Sequence, residues 1–154
     1  MNKNTGIRFL LMLGGNLMIG VGIAFSLYAQ MGNDPFSTMN LGFSNFTGIS
    51  FGTIQLIINC ILFMIPLLFD RSQIGLGTIG NMVLVGYCAD FFSPLCAQLL
   101  NMLSFNATIL AMIVGVLITS FGCAFYLAAQ MGASPWDSMA FVVTKHFPSI
   151  PYMP

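Results

Sequence analysis

The segment Ala29-Gln30-Met31-Gly32-Asn33-Asp34-Pro35-Phe36-Ser37-Thr38-Met39 returns 100 positions later (129 against 29) as Ala129-Gln130-Met131-Gly132-Ala133-Ser134-Pro135-Trp136-Asp137-Ser138-Met139. The likeness extends upstream, where Gly15, Leu17, Gly22, Ala24, Phe25 and Leu27 match Gly115, Leu117, Gly122, Ala124, Phe125 and Leu127. A repeat on this scale restricts the chain to folds made of two related units, each carrying the same turn. Composition then fixes the medium. Hydrophobic residues make up 57% and charged residues 5%, against roughly a quarter charged in soluble domains. Two related units in a lipid bilayer point to a membrane architecture with a site where the copies meet.

Crossing the hydrocarbon core takes roughly 20 apolar residues. Segments 7–29, 50–69, 74–92 and 107–129 meet that requirement. Segments 35–46 and 135–147 hold about a dozen residues, roughly 18 Å as helix. They are too short to cross and read as half-helices, re-entrant or lying at the interface. The expected fold is all-α: a polytopic helical membrane protein with four spans and two half-helices. It divides into a first repeat unit over 1–100 and a partial second unit over 101–154.

Basic residues collect in cytoplasmic loops. With four spans and the amino terminus inside, Lys3, Arg8, Arg71 and Lys145 all fall on the cytoplasmic side. If 35–46 were a fifth span, Arg71 would move outside. This parity makes the first span run outward and the matching span of the second copy run inward, so the expected repeat is inverted. Inverted repeats are a recurrent plan of secondary transporters; the competing reading is a duplicated packing module that moves nothing. Pro154 aligns with Ile54, so the second copy stops before counterparts of 50–69 and 74–92. The sequence therefore predicts either missing C-terminal spans or a second subunit, such as the partner in a homodimer. The ending 148–154 carries no helix stop and resembles an interruption.

Within each copy the residues spell a helix start. Asp34 or Ser134 suits the N-cap, and Pro35 or Pro135 the first helical position. Ser134 with Asp137 forms a capping-box-like pair. Capping alone accounts for these carboxylates, but ionisable groups at membrane depth are also functional candidates. Asp34, Asp90 near the outer end of the third span, Asp137, Ser134, and Gln30 and Gln130 at the ends of the repeated spans are the candidate binding or coupling residues. Their negative charge favours a small polar or cationic solute, an amine or a proton over an anion. Asn16, Gln55, Asn59 and Asn81 sit within spans and either line a polar path or join helices. Gly15 and Gly22, mirrored by Gly115 and Gly122, recur at seven residues and predict a small-residue seam between the repeated spans. Gly75, Gly77, Gly80 and Gly86 thin one side of the third span, Pro66 interrupts the second, and Phe36 and Trp136 are expected to anchor the half-helices at the interface.

Several classes are excluded. Four basic and four acidic residues cancel, leaving no basic face for nucleic acid. Cys60, Cys88, Cys96 and Cys123 lack metal-ligand spacing and read as small packing residues. The first apolar run is too long for a cleaved signal. No nucleophile with a nearby base is present, so no catalytic residue, metal or cofactor is expected.

The strings Gly32-Asn33-Asp34-Pro35-Phe36-Ser37, Leu41-Gly42-Phe43-Ser44, Thr47-Gly48-Ile49-Ser50-Phe51-Gly52-Thr53 and Gly75-Leu76-Gly77-Thr78, with Gly86 and Asp90, resemble the YczE/YyaS/YitT-type bacterial integral membrane proteins. The likeness covers most of residues 20–92 and reappears in the second copy. Members usually carry a Gly-x-x-Pro-Trp-Asp turn, matched at 132–137, whereas the first copy has Phe36 and Ser37. The resemblance implies a multi-pass protein of the bacterial cytoplasmic membrane, longer than this chain, with transport presumed and no agreed substrate. The expectation is a permease-like secondary transporter of a small solute, with a non-transporting scaffold or accessory subunit as the alternative.

Overall fold

A computed structural model describes residues 3–102 and 107–146. The expected ending 148–154 lies outside them. Six helices follow in order: α1 (Lys3–Ala29), α2 (Pro35–Thr47), α3 (Phe51–Phe69), α4 (Leu76–Asn101), α5 (Ala107–Ala129) and α6 (Pro135–His146), with a 3-10 turn (Arg71–Gln73) before α4. Helices α1, α3, α4 and α5 are long and apolar enough to cross a membrane, with mean hydropathy between 1.5 and 2.2. The short α2 and α6 are the half-helices.

Local chemistry sets most boundaries. Asp34 caps α2 by accepting a hydrogen bond from the Ser37 N–H at 2.9 Å, and Gly48 ends the helix in the left-handed region at φ 72°. Ser50 caps α3 through the Thr53 N–H. The helix α1 ends where Gln30 turns to φ 50° and Gly32 to φ 111°; α5 ends identically, with Gln130 at 48° and Gly132 at 120°. A glutamine in this region carries steric strain that glycine avoids.

One boundary departs from the sequence reading. The third span, expected to end at 92, continues through Pro94 to Asn101. Proline inside a helix costs about 3 kcal/mol, but the extra turns bury Cys96 and Leu100 against Ala24, Ala29 and Ala111. Burying a leucine side chain alone contributes roughly 1.5–3 kcal/mol, enough to offset much of that cost.

The helices are joined by backbone contacts through glycine. A Cβ on Gly15 would lie 2.8 Å from the Gly122 carbonyl oxygen, and one on Gly22 would lie 2.8 Å from that of Gly115. With 15 facing 122 and 22 facing 115, α1 and α5 run antiparallel. The predicted seam is present. On another side of α1, Gly20 receives Cys88 and Val85 of α4, and the Asn81 amide donates to Asn16 Oδ1 at 3.0 Å. The helix α4 then meets α3 at Gly86 and Gly52, and α3 packs on α6 and α2. The row α5, α1, α4, α3 is therefore continuous. On α5 the positions equivalent to buried Asn16 and Gly20, namely Val116 and Ser120, are exposed.

Replacing Gly22 should break the α1–α5 seam, because its Cβ would also fall 2.2 Å from Thr119 Oγ1. Gly22→Leu is expected to lose the monodisperse peak in size-exclusion chromatography. Gly14→Ala, at a position with nothing within 4 Å, should retain it; a monodisperse Gly22→Leu would refute the seam.

Candidate functional site

The site follows from where the two corners lie. Arg8, one turn into α1, donates its Nε–H to the Ala129 carbonyl at 2.7 Å and a second N–H to the Gln130 carbonyl. This fixes the second corner at the start of α1. The first corner follows the end of α1, 22 positions further on (30 against 8), or roughly 33 Å along a helix. Yet the rings of Phe36 and Trp136, six residues beyond each corner, are 5.1 Å apart. Both segments must therefore turn back from opposite ends, and an extended chain of about 3.3 Å per residue covers that distance. The starts of α2 and α6 meet near the mid-height of α1. Phe36 and Trp136, expected to anchor the half-helices at the interface, touch each other.

Around this meeting point lies a cavity of about 680 Å³ to which all six helices contribute, among them Ile19, Ser37, Gln55, Asn81, Cys123 and Trp136. Both Asp34 and Asp137 are in its wall. Each uses one oxygen to secure its own helix start. The Asp34 Oδ1 accepts from the Ser37 N–H at 2.9 Å. The Asp137 Oδ2 accepts from the Ser134 hydroxyl at 2.7 Å, while Ser134 Oγ accepts from the Asp137 N–H at 3.1 Å. Ser134 thus caps α6, and Asp137 of the capping-box-like pair holds the Ser134 hydroxyl in place. No Lys, Arg or His is among the described lining residues.

Unmet polarity is concentrated on this side of the bundle. Among the described residues, the buried side-chain atoms without a hydrogen-bond partner belong to Asn33, Asn40, Gln55, Asn59 and Ser138. They lie on α2, α3, α6 or the segment entering α2. Each such atom costs roughly 1–3 kcal/mol. Gln55 and Asn59 are one helical turn apart on α3 and both face the cavity. Asn16, by contrast, is joined to Asn81, which lines the cavity as well.

The structure brings together Asp34, Asp137, Ser134 and Gln130. It leaves Asp90 outside the cavity wall. Its Oδ2 accepts from the Gly52 N–H at 2.9 Å, satisfying a free donor in the first turn of α3. Gln30 is exposed and also lies outside the wall. Pro35 and Pro135 open α2 and α6 as expected. A smaller cavity of about 330 Å³ lies between Thr5, Arg8, Ser72, Gly75 and the second corner. It shares Ser72, Gln130 and Gly132 with the larger one. The corner is fastened there by the Gly77 N–H, which donates to the Met131 carbonyl at 2.8 Å. Among the described residues no three His, Cys, Asp or Glu side chains group as metal ligands.

Residues 6–153 match the family described as "Family of unknown function (DUF6198)". The chain belongs to this family. It is also similar to the uncharacterized membrane protein YczE of Bacillus subtilis, with 24% identity over 146 residues, covering 94% of this chain and 66% of the relative. An uncharacterized protein of Haemophilus influenzae is 23% identical over 132 residues, covering 84% of this chain and 58% of the relative. The protein YyaS of Bacillus subtilis is 22% identical over 130 residues, covering 84% and 64%. The chain spans less than two thirds of the length of each of these relatives. No solved structure matches it. The YczE and YyaS likeness agrees with the motif resemblance, and the family member is an integral membrane protein.

The position of Asp90 yields a stability prediction. Asp90→Ala should lower stability by about 1–2 kcal/mol, the scale of a lost cap, seen as a lower thermal midpoint in detergent. Asp90→Asn, which retains an acceptor, should keep most of it. Equal losses in the two variants would show that charge, not the hydrogen bond to Gly52, matters there.

Proposed function

We propose that this protein is a permease-like carrier of a small solute, built on an inverted repeat, with the central cavity as its solute site. The observation that carries this reading is the meeting of Phe36 with Trp136, equivalent residues of the two copies, at the wall of one cavity. The glycine pairing supports it. Shifting the pair 15·122 by 100 positions gives 115·22, which is the other observed contact. In this reading the copies are related by a two-fold axis running between α1 and α5. Such an arrangement lets two halves exchange outward-open and inward-open shapes around a fixed site.

In this reading the Arg8 end of the bundle faces the cytoplasm of a bacterial cell, together with Arg71 in the α3–α4 connection. A non-transporting scaffold or accessory role draws on a different observation, the exposed α5 face at Val116 and Ser120. By the same two-fold relation, that face would take a helix pair like α3–α4, from a second copy or from further chain.

Two labelling experiments test the carrier. Cys123 is half-buried in the cavity wall, so a variant retaining it as the sole cysteine reports access directly. An impermeant methanethiosulfonate reagent is expected to modify Cys123 in both right-side-out and inverted vesicles; modification from one side or neither would favour the scaffold. In a cysteine-free background, Gln30→Cys and Gln130→Cys, both at exposed positions, should react with an impermeant maleimide from opposite faces. Reaction from the same face would sink the inverted repeat.

A further inference from the structure

The cavity's unpaired groups describe the molecule that would complete it. Gln55 is 4% exposed and Asn59 2% exposed, and among the described residues neither Gln55 Oε1 nor Asn59 Nδ2 has a partner. At i and i+4 on α3 these amides share a face, and that face is the cavity wall. Two buried amide atoms held without partners beside a large cavity mark a place where a ligand supplies hydrogen bonds.

The sign of the ligand follows from the rest of the wall. Asp34 Oδ1 is committed to the Ser37 N–H and Asp137 Oδ2 to the Ser134 hydroxyl, and among the described residues the other oxygen of each carboxylate has no protein partner. The described lining includes no basic side chain to neutralise them. Trp136, Phe36 and Tyr126 add aromatic surface, which attracts cations. Of these unpaired atoms, two carboxylate oxygens and Gln55 Oε1 accept and Asn59 Nδ2 donates.

We infer that the cavity binds a small primary-ammonium compound that carries a hydrogen-bond acceptor at its other end. The ammonium donates to the carboxylates and to Gln55 Oε1, and the acceptor takes the Asn59 N–H. A quaternary ammonium has charge but no donor and leaves Gln55 unpaired, so it binds more weakly. A neutral diol has donors but no charge. The cavity, at about 680 Å³, is sized for an organic solute. The inference rests on the reading of this cavity as the solute site, but binding is measurable without transport.

Trp136 is the single tryptophan of the chain and lies in the cavity wall, so its emission reports occupancy. The full chain in lipid nanodiscs is titrated with ethanolamine, choline and ethylene glycol at constant ionic strength, with calorimetry in parallel. Ethanolamine is expected to give a saturable change and to bind more tightly than choline, with ethylene glycol giving none. Gln55→Leu, which leaves both capping carboxylates in place, should weaken ethanolamine by about tenfold, the scale of one hydrogen bond to a charged group. It should also narrow the preference over choline. Asp137→Asn should weaken ethanolamine and choline alike. Absence of a saturable response, equal binding of ethylene glycol, choline binding as tightly as ethanolamine, the same response to sodium chloride alone, or unchanged affinity in Gln55→Leu would each overturn the inference. Ethanolamine binding with one-sided labelling of Cys123 would remove the carrier reading and leave the ligand class standing. Two-sided labelling without ethanolamine binding would do the reverse.

Discussion

Direct backbone contact between α1 and α5 is the constraint from which the rest of the arrangement follows. Lipid offers no hydrophobic incentive for two apolar helices to associate, so close packing must supply the attraction. Glycines 15, 22, 115 and 122 bring carbonyl oxygens of one helix against the α-carbons of the other, with Thr119, Ser26 and Met18 filling the space beside them. Approach at this distance allows weak Cα–H···O interactions in addition to dispersion. Once the pair is antiparallel, its two corners lie at opposite ends. The chain leaving each corner can only re-enter the bundle, and the two helix starts converge.

Convergence makes capping and cavity chemistry the same problem. A helix start carries free N–H groups with no intrahelical partner. Asp34 and the Ser134–Asp137 pair satisfy these donors from within the sequence. Doing so also places two carboxylates at the wall of the void. Gln55 and Asn59 on the facing helix enlarge the polar surface without satisfying it. A protein selected only for packing would gain by replacing such amides with leucine.

Much of this was legible in the residues. The spans, the two short helices, the caps and the glycine seam rest on local sterics and on spacing, which a sequence displays. The α4 end was not, because the rule that proline stops a helix is local, while the burial of Leu100 against Ala24 and Ala29 is not. Asp90 is legible as an ionisable candidate near the end of a span, but its acceptor role for Gly52, 38 positions away, is a contact that only the fold creates. Arg8 was read as a topology signal, yet it holds carbonyls more than 120 residues distant. Gln55 and Asn59 did carry a signal, two amides at helical spacing in an otherwise apolar run. Only the geometry distinguishes them from Asn16 and Asn81, which pair with each other.

The two corners share a backbone shape but not their surroundings. The second is held by the Arg8 guanidinium, by the Gly77 amide, and by the close fit of Gly132 against Gly75 and Thr78. Around Gly32 none of the described residues lies within 4 Å of where a side chain would begin, and the position matching Arg8 is the uncharged Thr108. Regions with few fastenings open at lower free energy. The molecule is therefore mechanically lopsided, bolted at one rim and loose at the other, and thermal fluctuation reaches its interior first from the Gln30 end.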